Sequence, residues 1–310
     1  MSQSVRPAFI VGSPRSGTTI LGNILEAHPM VAHLYEPYYI WYYHAKDLST
    51  DCIRPEDIGA AEQQWIRKQF ERFAAGMGRT LVVDKSPELS LNLPIVQAVF
   101  PDAKFIHILR DGRDVVLSIK KEWEKRQGIV EDRSFGRLFG ITNSMLKRQP
   151  LWRFRRLAIW YELKTSFSLN PRRYLNKAKW EGKVGWGPRF EGWKEVLEEG
   201  PLIRFFANQW LRCVEQIETH LPKVPEENRF SLRYEDLVSE NHREVIGQVL
   251  QFLDLPATQA FWDRMPAIKV GNKQKWSKEL SSEEIHGMGP VLSEKLIQLA
   301  YDKTDSWYAA

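Results

Sequence analysis

Residues 9–25, FIVGSPRSGTTILGNIL, constrain the fold more than any other part of the chain. They join an apolar run, Phe9–Val11, to a helical pattern of apolar residues through a turn bounded by Gly12 and Gly17. Glycines permit tight turning and close approach of the backbone to a ligand. Because a helix that begins at such a turn directs unpaired amides and its positive dipole end toward it, the segment predicts an anion-binding loop.

The turn carries further groups that would hold an anion. Ser16, Thr18 and Thr19 supply hydroxyls beside the amides of residues 16–19, and Arg15 adds a fixed positive charge. The glycine spacing matches the nucleotide-hydrolysing pattern G-x-x-x-x-G-K-[ST], but Thr18 stands where that pattern has lysine. The alternative is an ordinary strand-to-helix turn capped by Ser or Thr.

Short apolar runs alternate with helical patterns along the chain. Continuously apolar runs are typical of strands buried on both faces of a parallel sheet. Strand alternating with helix therefore favours a three-layer, P-loop-like α/β fold with a central parallel sheet. The candidate strands are residues 8–12, 31–35, 80–84, 104–109 and 229–234, and the candidate helices are residues 56–75, 113–124 and 202–220.

The stretch 128–200 interrupts this alternation and is rich in aromatic residues, glycine and arginine. We expect it to form a helical and loop insertion over the ligand edge of the sheet, within a single domain that spans 1–310. Residues 147–190 contain twelve basic and two acidic residues, a net charge of +10 in a chain whose total is +5. This local excess favours an acidic partner.

The cysteine content and the apolar segments indicate which kinds of site and which location to expect. Cys52 and Cys213 lie far apart, and no HExxH or clustered His/Cys spacing occurs, so we expect neither a disulfide framework nor a metal. No apolar signal region or membrane-spanning run is visible. These features predict a soluble, cytoplasmic protein and leave its oligomeric state open.

Residues 105–121, FIHILRDGRDVVLSIKK, predict a second anion site. Arg110 follows an apolar strand, at the edge where open α/β sheets bind ligands. A helix begins shortly afterwards, and Ser118 lies one to two turns into it. Arg110 and Ser118 would then hold a second phosphate group. The alternative is a network of ion pairs that caps the helix through Asp111, Arg113 and Asp114.

Together these segments resemble the sulfotransferases that use 3′-phosphoadenylyl sulfate (PAPS), in particular the bacterial and carbohydrate-type branch. SPRSGTTILGNIL is similar to their 5′-phosphosulfate loop, LRDGRDVVLSIKK to their 3′-phosphate segment, and SLRYEDLV (231–238) to a third element. The resemblance covers roughly residues 8–120 and 225–280. It implies in-line transfer of a sulfuryl group from PAPS to an acceptor hydroxyl, with adenosine 3′,5′-bisphosphate as the nucleotide product.

The resemblance also assigns donor-binding residues. The turn would hold the 5′-phosphosulfate, and Arg110 and Ser118 the 3′-phosphate. Tyr234 would lie against adenine, with a buried core tyrosine as the alternative. The expected donor-binding residues are Pro14, Arg15, Ser16, Gly17, Thr18, Thr19, Arg110, Ser118, Tyr234 and Lys275, the last in a C-terminal loop that resembles the family's nucleotide-covering loop.

The missing lysine has a physical explanation in this setting. In nucleotide hydrolysis the lysine and Mg²⁺ neutralise a transferring phosphoryl group. A sulfuryl group bears less charge, so amides, hydroxyls and Arg15 would suffice without a metal. A nucleotide kinase or NTPase with a divergent loop remains an alternative, and Asp84, an acidic residue after an apolar strand, fits it.

Three residues are candidates for catalysis. Glu36 follows the second strand and is the proposed general base, in the position where the family carries a carboxylate. Lys85 ends the third strand and would stabilise charge on the bridging oxygen or the sulfuryl group, with Arg15 beside it. His33 and His107 lie within strands and are weaker candidates for the base.

The basic insertion is the candidate acceptor site, with Trp186 and Arg189 near its mouth. Aromatic faces suit sugar rings and arginine suits anionic groups, so a glycan or glycolipid acceptor fits. Nucleic acid is a weaker competitor, and peripheral contact with an anionic membrane or a solvated face are further alternatives. A non-catalytic nucleic-acid-binding or membrane-binding protein would use the same segment without turnover.

Overall fold

The computed structural model describes residues 5–45, 49–131 and 185–308. Within these residues, five strands form one parallel sheet in the order β2–β3–β1–β4–β5. The carboxyl ends of all five strands therefore lie at one edge. The strands are β1 (Arg6–Val11), β2 (Val31–Tyr35), β3 (Leu81–Lys85), β4 (Lys104–Leu109) and β5 (Arg229–Arg233).

The helices of the described residues are numbered in chain order. The first five are α1 (Thr18–Glu26), α2 (Tyr38–Trp41), α3 (Ala60–Met77), α4 (Leu93–Val99) and α5 (Gly112–Glu131). The others are α6 (Trp193–Glu198), α7 (Leu202–His220), α8 (Tyr234–Leu237), α9 (His242–Phe252), α10 (Gln259–Arg264), α11 (Trp276–Glu279) and α12 (Ser282–Gln298). Short 3₁₀ turns lie at Pro55–Asp57, Pro87–Leu91, Leu221–Lys223 and Glu226–Asn228.

The predicted elements are confirmed with small shifts at their ends. All five strands occur within two residues of the predicted bounds. The apolar runs of β1 to β4 are buried on both faces, whereas β5, at the edge of the sheet, is only partly buried. The predicted helices 113–124 and 202–220 correspond to α5 and α7. The helix predicted over 56–75 begins later, since a 3₁₀ turn at Pro55–Asp57 precedes α3.

Helices cover both faces of the sheet, which confirms the three-layer α/β architecture. Because side chains alternate along a strand, Phe9 and Val11 pack toward α3 and α4, whereas Ala8 and Ile10 pack toward α1 and α9. A third apolar cluster joins α5, α7 and α12. In that cluster the indole N–H of Trp210 donates to the Arg110 carbonyl at 3.1 Å, which fixes the start of α5.

Two features of the sequence stay predictions. The proposed insertion at 128–200 falls largely outside the described residues, and so does most of the basic segment 147–190. The extent of a single domain over 1–310 is untested for the same reason. Among the described helices, none combines the length and the apolar character that crossing a bilayer requires.

Candidate functional site

Each of the five strands delivers a candidate residue to the same edge of the sheet. The anion loop follows β1, Glu36 follows β2, and Lys85 is the last residue of β3. Arg110 follows β4, and Tyr234 follows β5. This edge is where open α/β sheets bind ligands. The sheet therefore gathers residues that are far apart in the sequence.

The loop after β1 is held in shape by hydrogen bonds to its own backbone and to a neighbouring segment. The Ser16 amide and hydroxyl both donate to the Ser13 carbonyl, at 3.2 and 2.6 Å. Ser90 accepts from the Gly12 amide at 3.0 Å and donates to the Gly12 carbonyl at 2.9 Å. Because α1 begins at Thr18, the amides of its first turn have no carbonyl partner within the helix and point outward.

Gly17 is required by the geometry of this loop. Its φ of +103° lies in the left-handed region that favours glycine. A Cβ atom there would also lie 2.5 Å from the ring of Tyr234. The loop and the end of β5 therefore pack against each other at a point where only glycine fits.

The two predicted anion sites are joined directly. The Arg15 Nε donates to the Ser118 hydroxyl at 2.9 Å, and the Arg110 guanidinium donates to the Arg15 carbonyl at 3.0 Å. Arg15 itself has a φ of 69°. Arg15 thus connects the loop after β1 to the second turn of α5, next to Arg110.

Arg110 is buried and retains an unused donor. Its guanidinium lies 4.2 Å above the Tyr234 ring and 3.5 Å from an Asp114 carboxylate oxygen. Its Nε has no hydrogen-bond partner among the described residues. Because a buried donor without a partner is costly, this atom fits a site that an anionic ligand completes.

Tyr234 supports Arg110 from beneath. The ring is 1% exposed, and the hydroxyl accepts a hydrogen bond from Asn272 at 2.8 Å. The expected contact with adenine stays a prediction, and in this geometry the ring's contacts are with Arg110 and Gly17.

The ion-pair network that the sequence offered as the alternative exists in part, because Arg113 pairs with Asp111, whereas Asp114 lies near Arg110. The Arg113 guanidinium pairs with both oxygens of Asp111 and with Asp302. It also lies 4.4 Å from the Trp276 ring. Arg113 therefore fastens the C-terminal segment to α5, whereas Arg110 faces the loop.

Glu36 and Lys85 form an ion pair at the ends of β2 and β3. The Lys85 side chain is fully buried and lies 4.1 Å above the Tyr35 ring, whereas the Glu36 side chain is 17% exposed. The Glu36 amide donates to the Lys85 carbonyl at 3.1 Å, and its φ is 45°. The carboxylate is thus held in a fixed direction and stays in contact with solvent.

The weaker candidates have other surroundings. Asp84 lies on the opposite face of β3, where it accepts from the Trp41 indole at 2.8 Å and from the Ser86 hydroxyl at 2.7 Å. Burial raises the pKa of Asp84 to about 7. The ring of His33 is buried against Glu26, and burial lowers the pKa of His107 to about 4.

The two acceptor candidates that the structure describes have different surroundings. The Arg15 guanidinium lies 5.8 Å from the Trp186 ring, so Trp186 is next to the anion loop. Arg189 is buried, pairs with Asp51 at 3.0 Å, and donates to the carbonyls of residues 49 and 50. Contact of Arg189 with an acceptor would require this ion pair to break, so the geometry gives it a structural role.

Lys275 lies at the N-cap of α11, and its amide donates to Asp114 at 2.8 Å. Sequence reasoning missed this role of Asp114. Its position in the first turn of α5 was the only local signal, and an acidic residue there is explained equally well by the helix dipole. Within the described ranges, no cluster of three or more His, Cys, Asp or Glu side chains has a metal-binding arrangement.

Comparison with known proteins agrees with the resemblance seen in the motifs. The model of the Sulfotransferase family matches residues 7–142. The chain is 26% identical over 142 residues to nodulation protein NoeE of Sinorhizobium fredii, covering 40% of this chain and 34% of that protein. It is 30% identical over 118 residues to a putative protein-tyrosine sulfotransferase of Caenorhabditis briggsae, covering 36% and 41%.

The chain therefore spans about a third to two-fifths of the length of these relatives. A solved sulfotransferase domain from the curacin biosynthetic pathway is 16% identical, with a TM-score of 0.49 over 87% of this chain and 81% of that one. That likeness is too weak to add to the strand order given above. The matched segment 7–142 contains the anion loop, Glu36, Lys85 and Arg110, so the part of the chain that carries these residues is similar to the sulfotransferase family.

Proposed function

We propose that the protein transfers a sulfuryl group from PAPS to an acceptor hydroxyl. The observation that carries the proposal is the direct connection of the two anion sites, in which Arg15 bonds to Ser118 and Arg110 bonds to Arg15. A donor with phosphate groups on both its 5′ and 3′ sides needs two neighbouring cationic sites of this kind. The unpaired Nε of Arg110 supports the fit.

The chain's own groups suit the two ends of such a donor. The free amides at the start of α1, the hydroxyls of Thr18 and Thr19, and Arg15 would bind the 5′-phosphosulfate. Arg110 and Ser118, with Lys275 beyond them, would bind the 3′-phosphate. In this proposal Ser16 and Pro14 shape the loop, since Ser16 is bonded to Ser13 and Pro14 accepts from the Ser13 hydroxyl.

Glu36 and Lys85 would carry the proton and charge of the reaction. As the acceptor oxygen forms its bond to sulfur, Glu36 takes the hydroxyl proton. The bond between sulfur and the bridging oxygen breaks, and Lys85 and Arg15 stabilise the charge left on the departing 5′-phosphate. The ion pair between Lys85 and Glu36 supports these neighbouring roles.

The chemical class of the acceptor rests on fewer contacts than the donor does. Trp186 beside Arg15 and the basic composition of 147–190 favour a carbohydrate or glycolipid hydroxyl. The tyrosine hydroxyl is the second candidate, because several relatives are protein-tyrosine sulfotransferases, among them the human protein-tyrosine sulfotransferase 1 at 28% identity. A cytoplasmic location belongs to this proposal and is supported by two free thiols, Cys52 and Cys213.

Calorimetry tests the donor. Adenosine 3′,5′-bisphosphate should bind far more tightly than AMP or Mg·ATP, and Arg110→Ala should remove about 1.5–3 kcal/mol of that binding by deleting a charge-assisted contact. Equal affinity for AMP would contradict the 3′-phosphate site, and preference for Mg·ATP would favour the kinase alternative. Incubation with PAPS and a panel of glycans and tyrosyl peptides, followed by mass spectrometry, identifies the acceptor class.

A further inference from the structure

The carboxylate of Asp114 collects three consecutive backbone amides from a segment 160 residues further along the chain. The Gln274 amide donates to one oxygen at 2.6 Å. The amides of Lys275 and Trp276 donate to the other oxygen at 2.8 and 3.1 Å. The Asp114 side chain is 1% exposed, so these bonds form away from water.

The same carboxylate faces the proposed 3′-phosphate site. The oxygen that accepts from Gln274 also lies 3.5 Å from the Arg110 guanidinium. Further contacts hold the segment 271–276 nearby, because the Gly271 amide donates to the Val238 carbonyl at 2.9 Å and Asn272 donates to the Tyr234 hydroxyl. The segment is therefore fastened beside Arg110 at both of its ends.

These contacts suit the two acceptor oxygens of an aspartate. A carboxylate accepts only, and it has enough lone pairs for three amides and a guanidinium. An asparagine would place an N–H₂ group against at least one amide N–H. The anchored segment also contains a strained residue, since Gln274 has a φ of 56°. Among the described residues, the amides of residues 274–276 make no other hydrogen bond.

We propose that Asp114 is a positioning residue that holds segment 271–276 beside Arg110 and thereby presents Lys275 to the 3′-phosphate of the donor. This inference rests on the proposed function. Asp114 acts through the segment and through Arg110, and does not itself contact the donor. The start of α5 would then contribute to the donor site in two ways, directly through Arg110 and indirectly through the segment that Asp114 anchors.

The test uses Asp114→Asn, Lys275→Ala and the double variant, with calorimetry against adenosine 3′,5′-bisphosphate and AMP. Asp114→Asn should weaken bisphosphate binding by about tenfold or more and leave AMP binding within about twofold, because the 5′ loop is intact. Lys275→Ala should weaken bisphosphate binding in the wild-type background and have little further effect in Asp114→Asn. Asp57→Asn, which alters another buried aspartate that pairs with Arg54, is the control for general destabilisation.

The outcomes separate this inference from the proposed function. If the wild type does not prefer the bisphosphate over AMP, the donor assignment fails and this inference fails with it. If the wild type prefers the bisphosphate but Asp114→Asn keeps that preference, or if the effects of Asp114→Asn and Lys275→Ala simply add, only the positioning role is overturned.

Hydrogen exchange of the wild type gives a measurement that does not depend on folding of the variant. The amides of residues 274–276 should exchange slowly in the free protein, and adenosine 3′,5′-bisphosphate should slow them further while AMP does not. Rapid exchange of these amides in the free protein, or equal protection by the two nucleotides, would overturn the inference.

Discussion

At the scale of single residues, the pair Glu36–Lys85 shows how the fold keeps a reactive carboxylate in place. Lys85 is fully buried and its counter-charge is Glu36, so the two depend on each other. Removing one partner of a buried pair leaves an uncompensated charge and is strongly destabilising. The same pairing that stabilises the ends of β2 and β3 also directs Glu36 toward the anion loop's side of the sheet edge.

Glu36→Gln should separate catalysis from binding. The amide cannot accept the acceptor proton, so we expect turnover to fall by at least ~10²-fold, with binding of adenosine 3′,5′-bisphosphate nearly unchanged. Turnover is measured well below the melting temperature, because the uncompensated Lys85 also lowers stability. Glu88→Gln is the matched control, since Glu88 accepts a hydrogen bond from the neighbouring Tyr38 at 2.8 Å. Most of the turnover surviving in Glu36→Gln would assign the base to another residue.

Asp84 makes stability depend on pH. Burial raises its pKa to about 7 from a usual value of 3.8, so the folded protein binds this proton more tightly than the unfolded chain. The stability that this neutral carboxyl contributes is present below about pH 4 and is lost as pH rises to about 7. Asp84→Asn keeps a neutral group between Trp41 and Ser86. The free energy of unfolding of this variant, relative to that of the wild type, should therefore increase as pH rises from about 4 to about 7.

The slope of that gain is up to about 1.4 kcal/mol per pH unit. Urea unfolding of both proteins at pH 5, 6, 7 and 8 measures it, and the difference should level off above pH 7. A difference that does not change between pH 5 and pH 7 would show that the carboxyl titrates near its usual pKa.

At the scale of elements, the sequence predicts those strands, loops and helices whose residue pattern is local. The runs that became β1 to β4 are short and apolar because both faces are buried, and that signal is visible without the fold, whereas β5 is a partly buried strand at the edge of the sheet. The strand–loop–helix unit is visible for the same reason, since its glycines and hydroxyls lie within a few residues. The connection of Arg15 to Ser118 spans 103 residues and was not expected, since the sequence paired Ser118 only with Arg110.

Contacts between distant segments could not be predicted from the pattern. Arg189 reads as an exposed base in an aromatic loop, yet its partner Asp51 lies 138 residues away and removes it from the surface. Asp114 reads as a helix-capping acid, yet its partners are amides 160 to 162 residues away. Charge type is local information, but the choice of partner depends on which elements the sheet brings together.

Gly17 tests the packing between the loop and β5. Gly17→Ala adds both left-handed backbone strain and a clash with Tyr234, whereas Gly78→Ala adds only strain, because no atom lies within 4 Å of the new Cβ. We expect Gly78→Ala to cost about 1–2 kcal/mol of stability and to leave nucleotide binding unchanged. Gly17→Ala should cost more and abolish bisphosphate binding. Comparable binding losses in both variants would contradict a specific role for Gly17.

At the scale of the whole molecule, one sheet edge collects residues from the entire described chain. The strand ends supply the charged groups, and segments from 185–193 and 271–276 lie against them from outside the sheet. Arg189 anchors the first of these segments to residues 49–51, just as Asp114 anchors the second. The surroundings of the site are therefore built by long-range polar contacts, whereas its centre is built by strand ends.

This division predicts opposite phenotypes for two kinds of arginine substitution. Arg189→Gln breaks a buried ion pair and should lower stability by about 3–5 kcal/mol, measured by urea unfolding. The pair Arg172 and Arg173 belongs to the basic segment outside the described residues, and its replacement by Gln should instead raise the KM for an anionic acceptor without altering the affinity for PAPS. Because steering by exposed charge is screened by salt, the KM of the wild type should rise with ionic strength. If neither the Arg172/Arg173 replacement nor salt changes the acceptor KM, the segment does not bind the acceptor and is only a solvated surface. If Arg189→Gln is as stable as the wild type, the anchoring role of Arg189 is contradicted.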